Sequence, residues 1–316
     1  MLDDQTQLEF PASGLTETPL IWQPQVVRCQ AAGPGGRPLM VLIDTGTDPS
    51  AIDLALARRL DLRIGDFALG SDAASDAVPF TETVLPWLRI GDLTLRHFYA
   101  MAVDLSHAPF PVDIVLGYNV LHRLNLTIDY AKHTIRLCHP DLAPPPPGPN
   151  GATLPLRFFE HFPAVTAQII APHPVEVLLT IDTGSNGALT LSPDLAATLG
   201  LGEHPTPAAT GHGFAAATPV VLGMTVAMQI GPFRFPAVEV DVPVTNHGDL
   251  GRQGRANAGN RLLSRFQRLT LDYRREVCIV DSQHGTKGAE AQSDSTQSLP
   301  SLQTQRCTDT RDEWGS

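Results

Sequence analysis

One tripeptide, Asp-Thr-Gly, occurs twice, as Asp44-Thr45-Gly46 and Asp182-Thr183-Gly184, each entered by an apolar run ending in Ile. At ordinary residue usage such a tripeptide arises by chance at roughly one position in 5,000. The two copies also sit at matching points of a longer repeat. Met40-Val41-Leu42-Ile43 answers Leu178-Leu179-Thr180-Ile181, and Asp53 with the stretch to Leu62 answers Ser192 with the stretch to Leu201. Leu88 to Leu95 answers Ala227 to Phe235, and Val103-Asp104-Leu105 answers Val240-Asp241-Val242. Leu121 to Leu124 with Ile128-Asp129-Tyr130 answers Leu263 to Phe266 with Leu271-Asp272-Tyr273. The anchors keep their order, so the chain is a duplicated domain.

Local patterns set the elements of each copy. Asp53 and Ser192 are good N-caps for short helices, and Pro193 suits a first helical position. The stretches around Gly91 and Gly231 alternate about a turn, as half-buried hairpins do. Each Asp-Thr-Gly follows a buried strand, and its glycine permits a tight backbone and a close approach. With 26 Gly and 28 Pro in 316 residues, many short strands joined by turns are expected. The sequence divides into a flexible N-terminal segment (1–20), a first lobe (21–140), a Pro-rich linker (141–151), a second lobe (152–282) and a Ser/Thr/Gln-rich tail (283–316) expected to be disordered.

Composition excludes some partners. A formal net charge of −11 argues against nucleic acid, which needs a basic face. No apolar run reaches transmembrane length. No signal peptide is visible, which gives a cytoplasmic location by default and an exported one if the recorded start is misplaced. The 11 histidines form no metal-binding spacing, and Cys29, Cys138, Cys278 and Cys307 lack Cys-x-x-Cys spacing, so no metal or other cofactor is expected. Arg261, Arg265, Arg268, Arg274 and Arg275 read as a solvated basic face.

Two similar halves, each supplying one Asp, suit a chemistry in which paired carboxylates share a proton. The residues resemble those of the retropepsin and pepsin-like aspartic proteases across most of 36–281. The shared features are the apolar-apolar-Asp-Thr-Gly-Ser/Thr motif, completed by Thr47 and Ser185, and a second signature, Ile114-Val115-Leu116-Gly117 followed by Asn119-Val120-Leu121. The corresponding stretch of the second copy, Ala256-Asn257-Ala258-Gly259, departs by placing Asn257 where an apolar residue is expected. In the family this segment supports the catalytic loop, so the second half-site is expected to be less rigid.

The resemblance implies a mainly β fold of two homologous retropepsin-like β-barrel lobes related by a pseudo-two-fold axis, a monomer carrying its own pseudo-dimer. It implies an aspartic endopeptidase acting on peptides or unfolded protein, with Asp44 and Asp182 as catalytic residues about 3 Å apart. Thr45 and Thr183 would bond across the lobes. Gly46 and Gly184 would shape the loops, and Thr47 and Ser185 would each donate a hydroxyl hydrogen bond to the adjacent carboxylate and favour an acidic optimum. Gly211, Gly213 and Phe214 resemble a substrate-covering flap of the second lobe; the first lobe's candidate is about Gly70 to Phe80. Two alternatives stay open. One is a catalytically weak or inactive peptide-binding module of the same fold, and the other pairs lobes between chains.

Overall fold

The computed structural model describes residues 2–170, 173–201, 209–213 and 217–282. The protein is mainly β, two retropepsin-like lobes each built on an eight-stranded sheet, with a six-stranded sheet joining them. The first lobe's sheet runs Arg28–Ala31, Leu39–Ile43, Ile114–Leu116, Ala51–Asp53, Leu93–Val103, Val78–Ile90, Ala68–Gly70. The second repeats the core of this order with Phe162–Ile170, Pro174–Ile181, Ala256–Ala258, Leu189–Leu191, Phe233–Pro243, Ala217–Ile230 and Ala209–His212. The long hairpins turn at Gly91 and Gly231, whose φ of +56° and +53° lies where a side chain is disfavoured.

The strand leading to Asp44 is a continuous apolar run because both its faces are covered. Leu39, Val41, Leu42 and Ile43 are fully buried. Leu39–Ile43 pairs in parallel with Ile114–Leu116, as Pro174–Ile181 does with Ala256–Ala258. Each short helix follows at the expected place, Leu54–Arg59 and Pro193–Thr198. Asp53 caps the first by accepting from Leu56 N at 2.7 Å, worth about 1 kcal/mol. Ser192 does not cap the second; its buried hydroxyl has no partner among the described residues, and Pro193 alone sets the helix start.

The joining sheet displays the two-fold relation directly. Asn125–Asp129 pairs antiparallel with Phe266–Asp272, so that Thr127 faces Thr270, its own counterpart in the repeat. The two hydroxyls hydrogen-bond at 2.9 Å. Thr134–Cys138 and Val277–Ser282 flank this pair, and the outer places are taken by Leu15–Pro19 and Gly151–Pro155. Residues 1–20 were expected to be flexible; instead Leu15–Pro19 is that outer strand, and Gln7–Glu9 pairs with Thr94–Arg96. Thr16 and Thr18 turn into the protein while Glu17 faces water, a strand alternation written in polar residues.

The Pro-rich segment runs along the joining sheet. Arg275 donates to Pro140 O at 2.9 Å, Asn125 to Leu142 O at 2.7 Å and Gly148 N to Asp281 at 2.7 Å. Two of the arginines read as a solvated face, Arg268 and Arg275, therefore hold this segment's carbonyls. The tail from 283 lies outside the described residues. Among those described, no helix is long and apolar enough to cross a membrane.

Candidate active site

Asp44 and Asp182 stand at equivalent strand ends and meet at the boundary between the lobes. Asp44 N donates to Leu116 O at 3.0 Å, and Asp182 N to Ala258 O at 2.9 Å, so each Asp is pinned by its parallel neighbour strand. The two carboxyl groups face each other across that boundary, near enough for the charge of Asp182 to act on Asp44. Each also lies against the opposite lobe's glycine. A Cβ on Gly46 would sit 2.8 Å from Asp182 Cγ, and one on Gly184 would collide with the Asp44 carboxylate. No side chain fits at either position.

Thr45 and Thr183 lock the loops reciprocally. Thr45 Oγ1 donates to Ile181 O at 2.5 Å and Thr183 Oγ1 to Ile43 O at 2.6 Å. Each hydroxyl also accepts from the other residue's backbone N–H, at 3.1 and 3.2 Å. All four bonds are buried and cross the repeat boundary, each contributing about 1 kcal/mol. Together they fix the separation of the carboxylates, because the Thr residues are the immediate neighbours of the Asp residues.

The two half-sites are not alike. Asp44 is buried and accepts from Gly46 N at 2.8 Å and from Thr47 Oγ1 at 2.7 Å. Asp182 is half-buried and accepts from Gly184 N and Ser185 N, both at 3.0 Å, and from Asn257 Nδ2 at 2.8 Å. Thr47 thus makes the expected hydroxyl bond, but Ser185 does not. Its Oγ accepts from Gly187 N at 3.2 Å, and the amide of Asn257 occupies the corresponding place. Burial first, and then the charge of Asp182, push the Asp44 carboxyl up to about 7 against the opposing pull of Thr47 and Gly46.

Asn257 was expected to weaken this half-site and instead enters it. In the first lobe the facing pair is Leu42 and Val115, both buried and apolar. In the second the same register pairs Thr180 with Asn257. Thr180 Oγ1 donates to Asn257 Oδ1 at 2.6 Å and approaches Ala256 O at 3.0 Å, which turns the Asn257 Nδ2 toward Asp182. Sequence reasoning singled out this residue but missed its contact with Asp182. The available signal was that both members of one facing pair had become polar together.

Above Asp44 and Asp182 lies a cleft of about 760 Å³ with both residues in its lining. The hairpin Ala68–Gly70/Val78–Ile90 of the first lobe reaches over it and touches the second. Asp249 N donates to Asp72 O at 2.8 Å, and Ser71 Oγ to Asp249 at 3.0 Å. From the second lobe, Gly213 packs on the Asp72 carboxylate and lines the cleft with Thr210. Gly211 lies in the strand of that hairpin opposite Thr218, and Phe214 lies outside the described residues.

An aspartyl protease family model matches residues 31–120 and matches again at 168–253. Among solved structures, a retropepsin-like aspartic protease from Rickettsia conorii aligns with 42% of this chain and 90% of its own, at 18% identity and a TM-score of 0.33. No curated protein matches the sequence. The two family matches span more than half the chain and fall one on each copy of the repeat. The chain belongs to the aspartyl protease family.

Proposed function

We propose that the protein is an aspartic endopeptidase that hydrolyses peptide bonds with one intramolecular dyad, Asp44 and Asp182. The observation carrying this reading is the meeting of two carboxyl groups from equivalent loops, each lying against the opposite loop's glycine, in the lining of one cleft. Two carboxylates this close cannot both ionise, so the pair holds one proton. The asymmetry of the half-sites supports a division of labour. Asp44, buried and shifted upward, holds the shared proton, and Asp182 accepts from three N–H donors.

In this reading a water between the two carboxyl groups attacks the substrate carbonyl carbon. Asp182 takes the water's proton while Asp44 donates its own to the carbonyl oxygen, giving a neutral tetrahedral diol. On collapse, Asp44 recovers a proton from a diol hydroxyl as the C–N bond breaks, and Asp182 passes its proton to the leaving nitrogen. Cleavage therefore declines as pH rises through about 7, where Asp44 loses its proton. Phe80, Met101 and Phe162 give the cleft apolar walls suited to peptide side chains.

The weaker-binding-module alternative rested on Asn257, and its engagement with Asp182 removes that motive. The test is cleavage of a denatured protein and a peptide library between pH 3 and 8. Asp44→Asn and Asp182→Asn should each lower the rate by at least about 10³-fold with unchanged folding, since the pair acts as a unit. Wild-type protein that cleaves nothing over that range would return the binding-module reading.

A further inference from the structure

Among the described residues, the cleft contains one cation without a counter-ion. Of its lining arginines, Arg252 pairs with Asp249 at 2.9 Å and Glu160 at 3.4 Å, and Arg261 pairs with Glu239 at 2.7 Å. Arg255 forms no ion pair and no side-chain hydrogen bond with any described residue. It is nevertheless only 3% exposed, and its Nε is buried without a partner. An isolated buried guanidinium is costly, and proteins normally pair one.

Its surroundings hold it in place without satisfying it. The Arg255 guanidinium carbon lies 4.8 Å from the ring centre of Phe159 and 4.7 Å from that of Phe162. These two rings belong to the strands Arg157–Phe159 and Phe162–Ile170, joined by a tight turn at the cleft edge. Aromatic faces stabilise the cation but accept none of its N–H bonds. The backbone is fixed too: Arg255 O accepts from Ser192 N at 2.8 Å, two residues before Asn257. The charges acting on it are Asp182 most strongly, then Asp249, Glu160 and the repelling Arg252. The first-lobe counterpart, Asp113, instead pairs with Arg37 outside the cleft lining, so the feature is particular to the second lobe.

We propose that Arg255 is a specificity residue that binds a carboxylate of the peptide substrate, an Asp or Glu side chain close to the scissile bond. A guanidinium fork meets a carboxylate through two parallel N–H···O bonds, and the rings on its sides pre-orient it for that contact. Arg255 and Asp182 line the same cleft, which limits the distance between the recognised carboxylate and the reacting carbonyl. This inference rests on the peptidase reading for its cleavage arm but not for its binding arm.

The test uses peptides that differ by Glu against Gln at one position, scanned through the positions flanking the scissile bond, each with a free and an amidated C-terminus. Wild-type protein should prefer Glu over Gln at one position by about 10²-fold in kcat/KM, and amidation should have no effect. Arg255→Gln should abolish that preference, lowering kcat/KM for the Glu peptide toward the value for the Gln peptide. Arg255→Lys, which keeps the charge and loses the fork, should retain part of it. Binding of the same Glu and Gln pair as reduced-amide peptides, which cannot be cleaved, should show the same discrimination by fluorescence anisotropy even if the protein hydrolyses nothing. Equal handling of Glu and Gln at every position would overturn the proposal, as would equal losses for both peptides in the Arg255 variants. A preference that vanishes on amidation would overturn it too, by assigning the site to a terminal carboxylate.

Discussion

Replacing Asp44 by Asn should stabilise the protein at neutral pH, by an amount the site itself sets. Asp44 is buried beside Asp182, and its carboxyl is raised from 3.8 to about 7. A group whose folded value lies above its unfolded value contributes fully below the unfolded value and loses that contribution as pH rises through the folded one. The wild type should therefore lose stability between about pH 4 and pH 7. About three pH units at 1.36 kcal/mol each give about 4 kcal/mol. The replacing amide is neutral throughout and fits the same contacts. Its oxygen can accept from Gly46 N, and its nitrogen can donate to Thr47 Oγ1 in place of the bond now made to Asp44. Urea unfolding of both proteins at pH 4, 6 and 8 measures the difference, and titrations elsewhere in the chain cancel between them. The curves should converge at pH 4 and separate by about 4 kcal/mol at pH 8, on the order of 10 °C in Tm. Parallel curves across that range would refute a buried, charge-repelled Asp44.

Two further outcomes follow from the unequal half-sites. Asn257→Val, which installs the first lobe's residue type at this position, should lower kcat about tenfold with little change in KM. It removes a charge-assisted hydrogen bond to Asp182 while Thr180 keeps Ala256 O as acceptor, so steady-state kinetics and an unfolding curve together check it. Thr47→Ala should move the alkaline limb of the cleavage profile to higher pH, because Thr47 holds Asp44 down, whereas Ser185→Ala should leave the profile in place.

Much of this site is legible in the sequence because its central residues are contiguous. Asp-Thr-Gly carries the carboxylate, the cross-lobe hydroxyl and the space for the opposite carboxylate in three positions, and the repeat reports both copies. What the sequence conceals depends on register across long separations. Asn257 reads as damage to an apolar motif until Thr180 is seen opposite it. Ser185 reads as equivalent to Thr47, yet its hydroxyl turns to Gly187 while a side chain 75 residues beyond Asp182 serves that carboxylate. The strand Leu15–Pro19 looks polar because its buried positions are Thr16 and Thr18, and only pairing with Thr134–Cys138 gives it a place. Arg255 escapes notice among many arginines, since its lack of a partner is a property of three-dimensional surroundings. Duplication itself, by contrast, leads directly to the Thr127–Thr270 pairing once the two-fold relation is assumed.

The central claim is that one chain carries both halves of a working dyad, and mixing the two inactive variants tests it most directly. Asp44→Asn and Asp182→Asn proteins, each folded and each inactive, should remain inactive when combined at any ratio after joint unfolding and refolding. In that arrangement every site pairs an Asn with an Asp from the same chain. Recovery of activity toward about a quarter to a half of the wild-type rate would mean that lobes pair between chains, because mixed assemblies would restore an intact Asp44 and Asp182 to one site. Continued inactivity, beside a wild type that cleaves peptides, is the result the intramolecular account predicts.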